Sequence, residues 1–423
     1  MRCLDQSVFL QNLSRFVFSK RRGSWNRYIL LATGLILVLP MSVWASGALT
    51  PERRQSSPLG AKIGEDAALD AVNAVLLPDH LFMKSPTAVS GNYLSRVAEP
   101  TSPFHADYLA YKKGQISRSE LVARLPHMAM IGDSLSKNAY ISSIPSTFWR
   151  ARVERRRDWF LDTDPSPSSV HSLFERVEAC TPVVATEYSG VGALVDTGQA
   201  KANFFRRLVR TRNFSGQVDQ LLKRQRYPDL ILLWIGHNNL DWAAGIPPAE
   251  RKHPEKRFKQ LARTFRVNYE RQLRRLISRA QTQNHKVAIV VFGLVNFDAY
   301  FKAREEAEAR KAKNPKLYPY LEVDYQHFLS MRPEYRKGMI RLALMMNREL
   351  RAMVGELNRA HPANVQLRYS DALAKVDIGH YQLIHSMDAW HPSVKGHTLL
   401  AKTAFEAIKP SLHYLGIRTE TKR

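Results

Sequence analysis

Five short apolar runs recur along this chain: His127–Gly132, Val183–Tyr188, Asp229–Gly236, Lys286–Leu294 and Val365–Tyr369. They are rich in Val, Ile and Leu with little polar alternation, the pattern of strands covered on both faces. The stretches Pro145–Phe160, Ser169–Glu178, Ala200–Gln225, Glu255–Gln283, Pro333–Ala360 and Ser393–Ala407 read as helices. This alternation predicts an α/β fold with a parallel sheet, helices on both faces and right-handed crossovers, beginning at about Pro126.

The chain has 423 residues, 44% of them hydrophobic and 24% charged, which suffices for a large core and excludes a disordered chain. Lys and Arg number 63 against 38 Asp and Glu, a formal charge of +25. Such an excess favours an anionic surface or polymer. Zinc-finger spacing, RNP-type aromatic motifs and a single dense basic block are all missing, so no nucleic-acid partner is expected. The excess is spread over helices, as in Arg271–Arg275 and Lys302–Lys316, and reads as solvated helix faces. The two cysteines, Cys3 and Cys180, offer no disulfide within the mature chain and no metal cluster.

Residues 1–27 carry six Lys or Arg against Asp5, and Tyr28–Trp44 is apolar and uncharged. Val43-Trp44-Ala45 is a small-x-small pattern. Residues 1–45 therefore read as a secretory signal cleaved after about Ala45. The alternative is an uncleaved inner-membrane anchor, since the run approaches the ~18 apolar residues that span a bilayer. Either way the bulk of the chain is expected on the non-cytoplasmic side, periplasmic or secreted, with membrane association through the N-terminal segment as the variant. Residues 46–125 form an extension with helical pieces such as Gly64–Leu77 and Ser117–Leu125. Residues 413–423 form a basic tail. The segment 297–332 is long for a connection and combines charge with Tyr318, Tyr320, Tyr325 and Phe328. It reads as a lid or substrate-shaping insert, or else as a surface helical hairpin.

Residues with chemistry gather at the ends of the apolar runs. The first run breaks at Gly132-Asp133-Ser134-Leu135. A serine there faces the crevice outside the strand ends of an open α/β sheet. The second run leads into Ser189-Gly190-Val191-Gly192-Ala193, where glycines let backbone N–H groups approach a substrate oxygen. The third ends at Gly236-His237-Asn238-Asn239, and the Asn238 amide suits an oxyanion donor. Near the C-terminus, Asp388-Ala389-Trp390-His391-Pro392 places an acid three residues before a histidine, a pair able to activate a serine.

In that order the pieces resemble the SGNH, or GDSL-type, hydrolases: Gly132-Asp133-Ser134-Leu135, a glycine after the second strand, Gly236-x-Asn238, and Asp388-x-x-His391-Pro392. Ser393–Gly396 with His397 and the apolar Leu399-Leu400-Ala401 are similar to the family's closing helix. The resemblance covers about 126–412 and leaves out 46–124 and the insert at 297–332. It implies a flavodoxin-like three-layer α/β/α sandwich with a five-stranded parallel sheet, and an ester-cleaving mechanism without a cofactor or metal. Carried over residue by residue, Ser134 is the nucleophile, His391 the general base and then acid, and Asp388 its orienting acid. The oxyanion hole is the Ser134 N–H, the N–H of Gly192 or alternatively Gly190, and the Asn238 side chain. Asp133 is then structural, fixing the turn. The family carries an acid after the block-three asparagine, where this chain has Asn239, which leaves the bracing of Asn238 open.

Rival readings remain. Ser134-x-x-Lys137, with echoes at Ser370-Asp371-Ala372 and Lys402-Thr403-Ala404, matches penicillin-binding enzymes in part, but the third echo falls in a helix. His380, His385, Asp388, His391 and His397 cluster without a metal-binding spacing. A degenerate domain that only binds an acylated polymer is the non-enzymatic alternative. The implied substrate is an acyl ester of a carbohydrate or a general carboxylic ester. Lipase or lysophospholipase action and O-acyl transfer to envelope polysaccharide are the alternatives.

Overall fold

The computed structural model describes residues 87–89, 93–137, 139–144, 148–153, 158–162, 170–195, 213–243, 254–319, 333–360 and 364–419. The expected export segment, the helix 64–77, residues 200–212, the second half of the insert (320–332) and the end of the tail lie outside them. All described residues belong to one compact unit, Asp70–Arg423. Among them, no helix is long and apolar enough to cross a membrane.

The strands are β1 (Thr87–Val89), β2 (His127–Gly132), β3 (Ala139–Ile144), β4 (Phe148–Val153), β5 (Val184–Glu187), β6 (Leu230–Trp234), β7 (Val287–Phe292) and β8 (Val365–Ser370). Six form one sheet in the order β1-β5-β2-β6-β7-β8. The five from β5 to β8 run parallel, at the places the apolar runs predict. Taken in chain order, the parallel strands lie 2-1-3-4-5, the flavodoxin-like arrangement. Its topological switch point is at β2, the strand that ends in Gly132-Asp133-Ser134. The short β1 adds an antiparallel edge on β5.

Every residue of β2, β6 and β7 is buried, which requires cover on both faces of the sheet. The helices are α1 (Tyr93–Ala98), α2 (His105–Lys112), α3 (Arg118–Arg124), α4 (Leu173–Glu178), α5 (Phe214–Leu222), α6 (Glu255–Thr282), α7 (Phe297–Lys313), α8 (Pro333–Arg359) and α9 (Val394–Tyr414). Helices α5, α6 and α8 pack together over the sheet, and α4 and α9 form a second group. Helix α6 buries Phe258, Leu261, Ala262, Phe265, Tyr269, Leu273, Leu276, Ile277 and Ala280, a stripe at three- and four-residue spacing that faces the core. Helices α3 and α4 start at capping boxes, Ser117 with Glu120 and Ser172 with Glu175.

Two expectations are corrected. Residues 148–153 are not part of a helix spanning 145–160: they form β4, paired antiparallel with β3 in a separate two-stranded sheet. The segment Phe148-Trp149-Arg150-Ala151-Arg152-Val153 is rich in aromatic and β-branched residues, and a partner strand directly upstream lets it pair locally. The last helix does not stop at Ala407 but continues through Pro410 to Tyr414. Burial of Ile408, Ser411 and Leu412 outweighs the hydrogen bond that the proline removes.

Candidate active site

Ser134 opens a single 3₁₀ turn, Ser134–Ser136, at the C-terminal end of β2, and all three residues are buried. Asp133, fully buried, shapes this turn and ties it across the sheet. Its Oδ1 accepts the Leu135 N–H at 3.1 Å. Its Oδ2 accepts the N–H groups of Gly236 and His237, each at 3.0 Å, and His237 Nδ1 at 2.8 Å. Val295 N–H donates to His237 Nε2 at 3.4 Å, so this pattern assigns the ring proton to Nδ1. The structural role expected for Asp133 is present in these bonds. His237, quoted in the sequence without a role, is its main side-chain partner.

Both glycines flanking this staple are required by close approach. A Cβ at Gly132 would stand 2.2 Å from Ser136 Oγ and 2.8 Å from Ser189 Oγ. Gly236 has φ +130°, and a Cβ there would meet the Phe265 ring at 2.7 Å.

The loop after β5 separates the two candidate oxyanion glycines. Gly190 donates its N–H to Gly132 O at 3.1 Å and so spends it on the sheet. Gly192 takes φ +71°, in the left-handed region. Asn238 donates one amide N–H to Ala193 O at 3.0 Å, which ties its side chain to the Gly192 loop and leaves a second amide proton for another acceptor. Asn239, in the place of the usual acid, accepts Val195 N–H at 3.0 Å through Oδ1 and donates its own N–H to Gly236 O. The bracing of Asn238 thus comes from neutral amides.

Asp388 and His391 are brought together, both buried. Asp388 Oδ2 lies 2.7 Å from His391 Nδ1. Its Oδ1 accepts the Trp390 N–H at 2.9 Å and the His391 N–H at 3.2 Å. The turn between them carries Ala389 at φ +52°. Trp159 links the first turn of α9 to the C-terminal ends of two strands. Trp159 packs edge-on against Trp234 and Phe292, which end β6 and β7, at 5.6 and 6.1 Å. The Trp159 backbone N–H donates to His397 Nδ1 at 3.3 Å, in the first turn of α9 just after His391. Burial, with His391 and His385 nearby, lowers the His397 pKa to about 3, so the ring is neutral.

The residues of the rival readings make other contacts. Lys137 is buried and paired with Glu187 at 2.9 Å, and Lys402-Thr403 lie inside α9. His380 and His385 direct Nδ1 to the N–H groups of Gln382 and Met387. Among the described residues, no three His, Cys, Asp or Glu side chains converge as a metal site would require. The Lys137–Glu187 pair has a third member, Asp158, whose carboxyl is pushed well above its usual range by burial and by Glu187. Spacing in the sequence gives no sign of this cluster.

Residues 128–404 match the model of the GDSL-like Lipase/Acylhydrolase family. The chain belongs to that family. This GDSL-like acylhydrolase is therefore an ester-hydrolysing enzyme, and the matched span takes in the serine turn, the Asn238 turn and the Asp388–His391 turn. No curated protein matches the chain. Among solved structures it is similar to Est24, a carbohydrate acetylesterase from Sinorhizobium meliloti. The two are 11% identical with a TM-score of 0.38, over 67% of this chain and 99% of that one. The assignment rests on the family match and not on this likeness.

Proposed function

We propose that this acylhydrolase cleaves O-acyl esters through an acyl-enzyme on Ser134, with His391 as general base and Asp388 as its orienting acid. The observation that carries the reading is the buried 2.7 Å contact between Asp388 Oδ2 and His391 Nδ1. It fixes the imidazole with its proton on Nδ1 and leaves Nε2 as the basic atom. Ser134 Oγ attacks the ester carbonyl while His391 Nε2 takes its proton. The tetrahedral oxyanion is received by the N–H groups of Ser134 and Gly192 and by the second amide proton of Asn238. Collapse expels the alcohol, which takes the proton from His391. A water activated by the same imidazole then frees the acid and restores Ser134.

The N-terminal charge pattern and apolar segment support export to the periplasm or beyond, with anchoring as the variant. There the excess positive charge suits acyl esters on an anionic polysaccharide, and carbohydrate or general carboxylic esters are the proposed substrates. Turnover of p-nitrophenyl acetate, butyrate and octanoate, beside O-acetylated polysaccharide, tests this. Preference for acetyl esters supports it. Preference for octanoate, or transfer of acetyl to a sugar hydroxyl instead of water, would replace it with a lipase or an acyltransferase.

A further inference from the structure

The insert contributes α7, and this helix lies against the turn that carries Asp388 and His391. Arg304, in the middle of α7, has no exposed side-chain surface. Its Nη1 donates to the carbonyl of Ala389 at 3.4 Å, and its Nε pairs with Glu308 Oε1 at 3.2 Å. Ala389 is the residue at φ +52° between the two catalytic candidates, and it too is fully buried. A residue with a Cβ holds the left-handed conformation only where its surroundings over-determine it. Its own turn supplies part of them, with Ala389 N–H on His385 O at 2.9 Å, and α7 supplies the contacts on the other side. Trp390, next in the chain, lies against Phe297, Tyr300 and Phe301 with ring centroids 5.9, 4.9 and 6.4 Å away. One turn further along α7, Glu306 accepts the Tyr381 N–H at 3.1 Å, and Arg310 covers the Tyr381 ring at 3.5 Å.

We infer that α7 braces the catalytic dyad and that Arg304 is a positioning residue, holding the Ala389 carbonyl so that Asp388 and His391 stay in register. This rests on the proposed roles of Asp388 and His391. A guanidinium suits the position because its fork reaches a carbonyl and a carboxylate from one buried point. Glu308 keeps Arg336 as a second partner at 2.6 Å, so removing Arg304 does not strand it.

The test uses Arg304→Gln and Arg304→Lys in the full chain, with two readouts. The first is ester turnover. A shift of the dyad by a fraction of an ångström is expected to lower kcat by about 10–100-fold in Arg304→Gln. KM should stay within about twofold, since substrate binding is not what is lost. Arg304→Lys keeps a cation and the bulk, and should recover part of kcat. The second readout is the downfield proton resonance of His391 Nδ1–H in the unliganded protein, which needs no substrate. It should shift or broaden in Arg304→Gln and move back toward the parent in Arg304→Lys. A kcat and a resonance that match the parent in both variants would overturn the inference. If Arg304→Gln does not fold, Arg304→Met, which keeps the length of the side chain and gives up its N–H donors, takes its place, and a parent-like kcat and resonance in that variant would overturn the inference. A parent that shows the resonance but no Ser134-dependent turnover would remove the proposed function, while the resonance still reports on Arg304.

Discussion

Asp133 Oδ2 lies 2.8 Å from His237 Nδ1 and also takes two backbone N–H groups from the turn after β6. The acid next to the candidate nucleophile therefore bonds to the neighbouring strand's turn instead of to substrate. With Oδ1 on Leu135 N–H, four donors depend on this carboxylate. Asp133→Ala should cost on the order of 3 kcal/mol, because buried donors lose a charged acceptor. Urea unfolding measures that, and kcat should fall with it, since both the Ser134 and Asn238 turns hang on the same side chain.

The proposed oxyanion donors give a second prediction. Asn238→Ala removes the amide and should lower kcat by on the order of 10²–10³ with little change in KM. Gly192→Ala meets no atom within 4 Å of its new Cβ, so its cost is the backbone at φ +71°, about 1–2 kcal/mol. Relaxation of that strain would turn the N–H away, so steady-state kinetics should show loss of kcat in a variant that still folds.

Stability should fall in acid through two buried histidines. Burial, followed by the charge of Arg226, lowers His127 to about 4, and burial lowers His397 to about 3. Both rings are protonated in the unfolded chain near pH 6.5 but stay neutral when folded. The unfolded state thus binds more protons below 6.5, and the stability present above that pH is lost as pH falls towards 4 and then 3, several kcal/mol in all. His397→Asn offers an oxygen to the backbone N–H of Trp159 and does not titrate. Its urea midpoint should depend less steeply on pH between 6.5 and 3 than the parent's.

Asp158 works in the opposite sense. Its folded carboxyl is raised by burial and by Glu187, so the folded state keeps a proton that the unfolded chain has released. The stability this contributes is complete below about 3.9 and is lost as pH rises through the elevated folded value. Asp158 Oδ1 alone accepts the N–H groups of Phe160 and Leu161, at 3.0 and 2.8 Å. An asparagine keeps that oxygen and presents its amide where the acid carries its proton. The margin by which Asp158→Asn exceeds the parent in urea unfolding should widen from pH 4 to pH 9.

How legible the molecule is in its sequence depends on the range of each interaction. The parallel strands announce themselves because burial on both faces demands continuous apolar runs, and β6 and β7 sit inside their expected ranges. The expectation for Ser134 and Asn238 comes from short motifs at strand ends, and that for Asp388 and His391 from a motif just ahead of the last helix. The β3–β4 hairpin escapes because Glu154 and the arginines around it disguise a pairing segment as a helix. Arg304 escapes for a different reason. It sits in the charged stretch of the insert and looks solvated, and the contact that ties it to the dyad is with the backbone carbonyl of Ala389, far along the chain and without a side-chain signature.

Ser134 is proposed as the nucleophile of an acyl-enzyme. The most direct measurement is intact-protein mass after treatment with a fluorophosphonate, on the parent, Ser134→Ala and His391→Ala. One phosphonyl adduct is expected on the parent, mapped to Ser134. No adduct is expected on Ser134→Ala, and labelling of His391→Ala should be slowed by orders of magnitude. An adduct of equal yield on Ser134→Ala, or ester turnover unchanged in that variant, would contradict this role of Ser134.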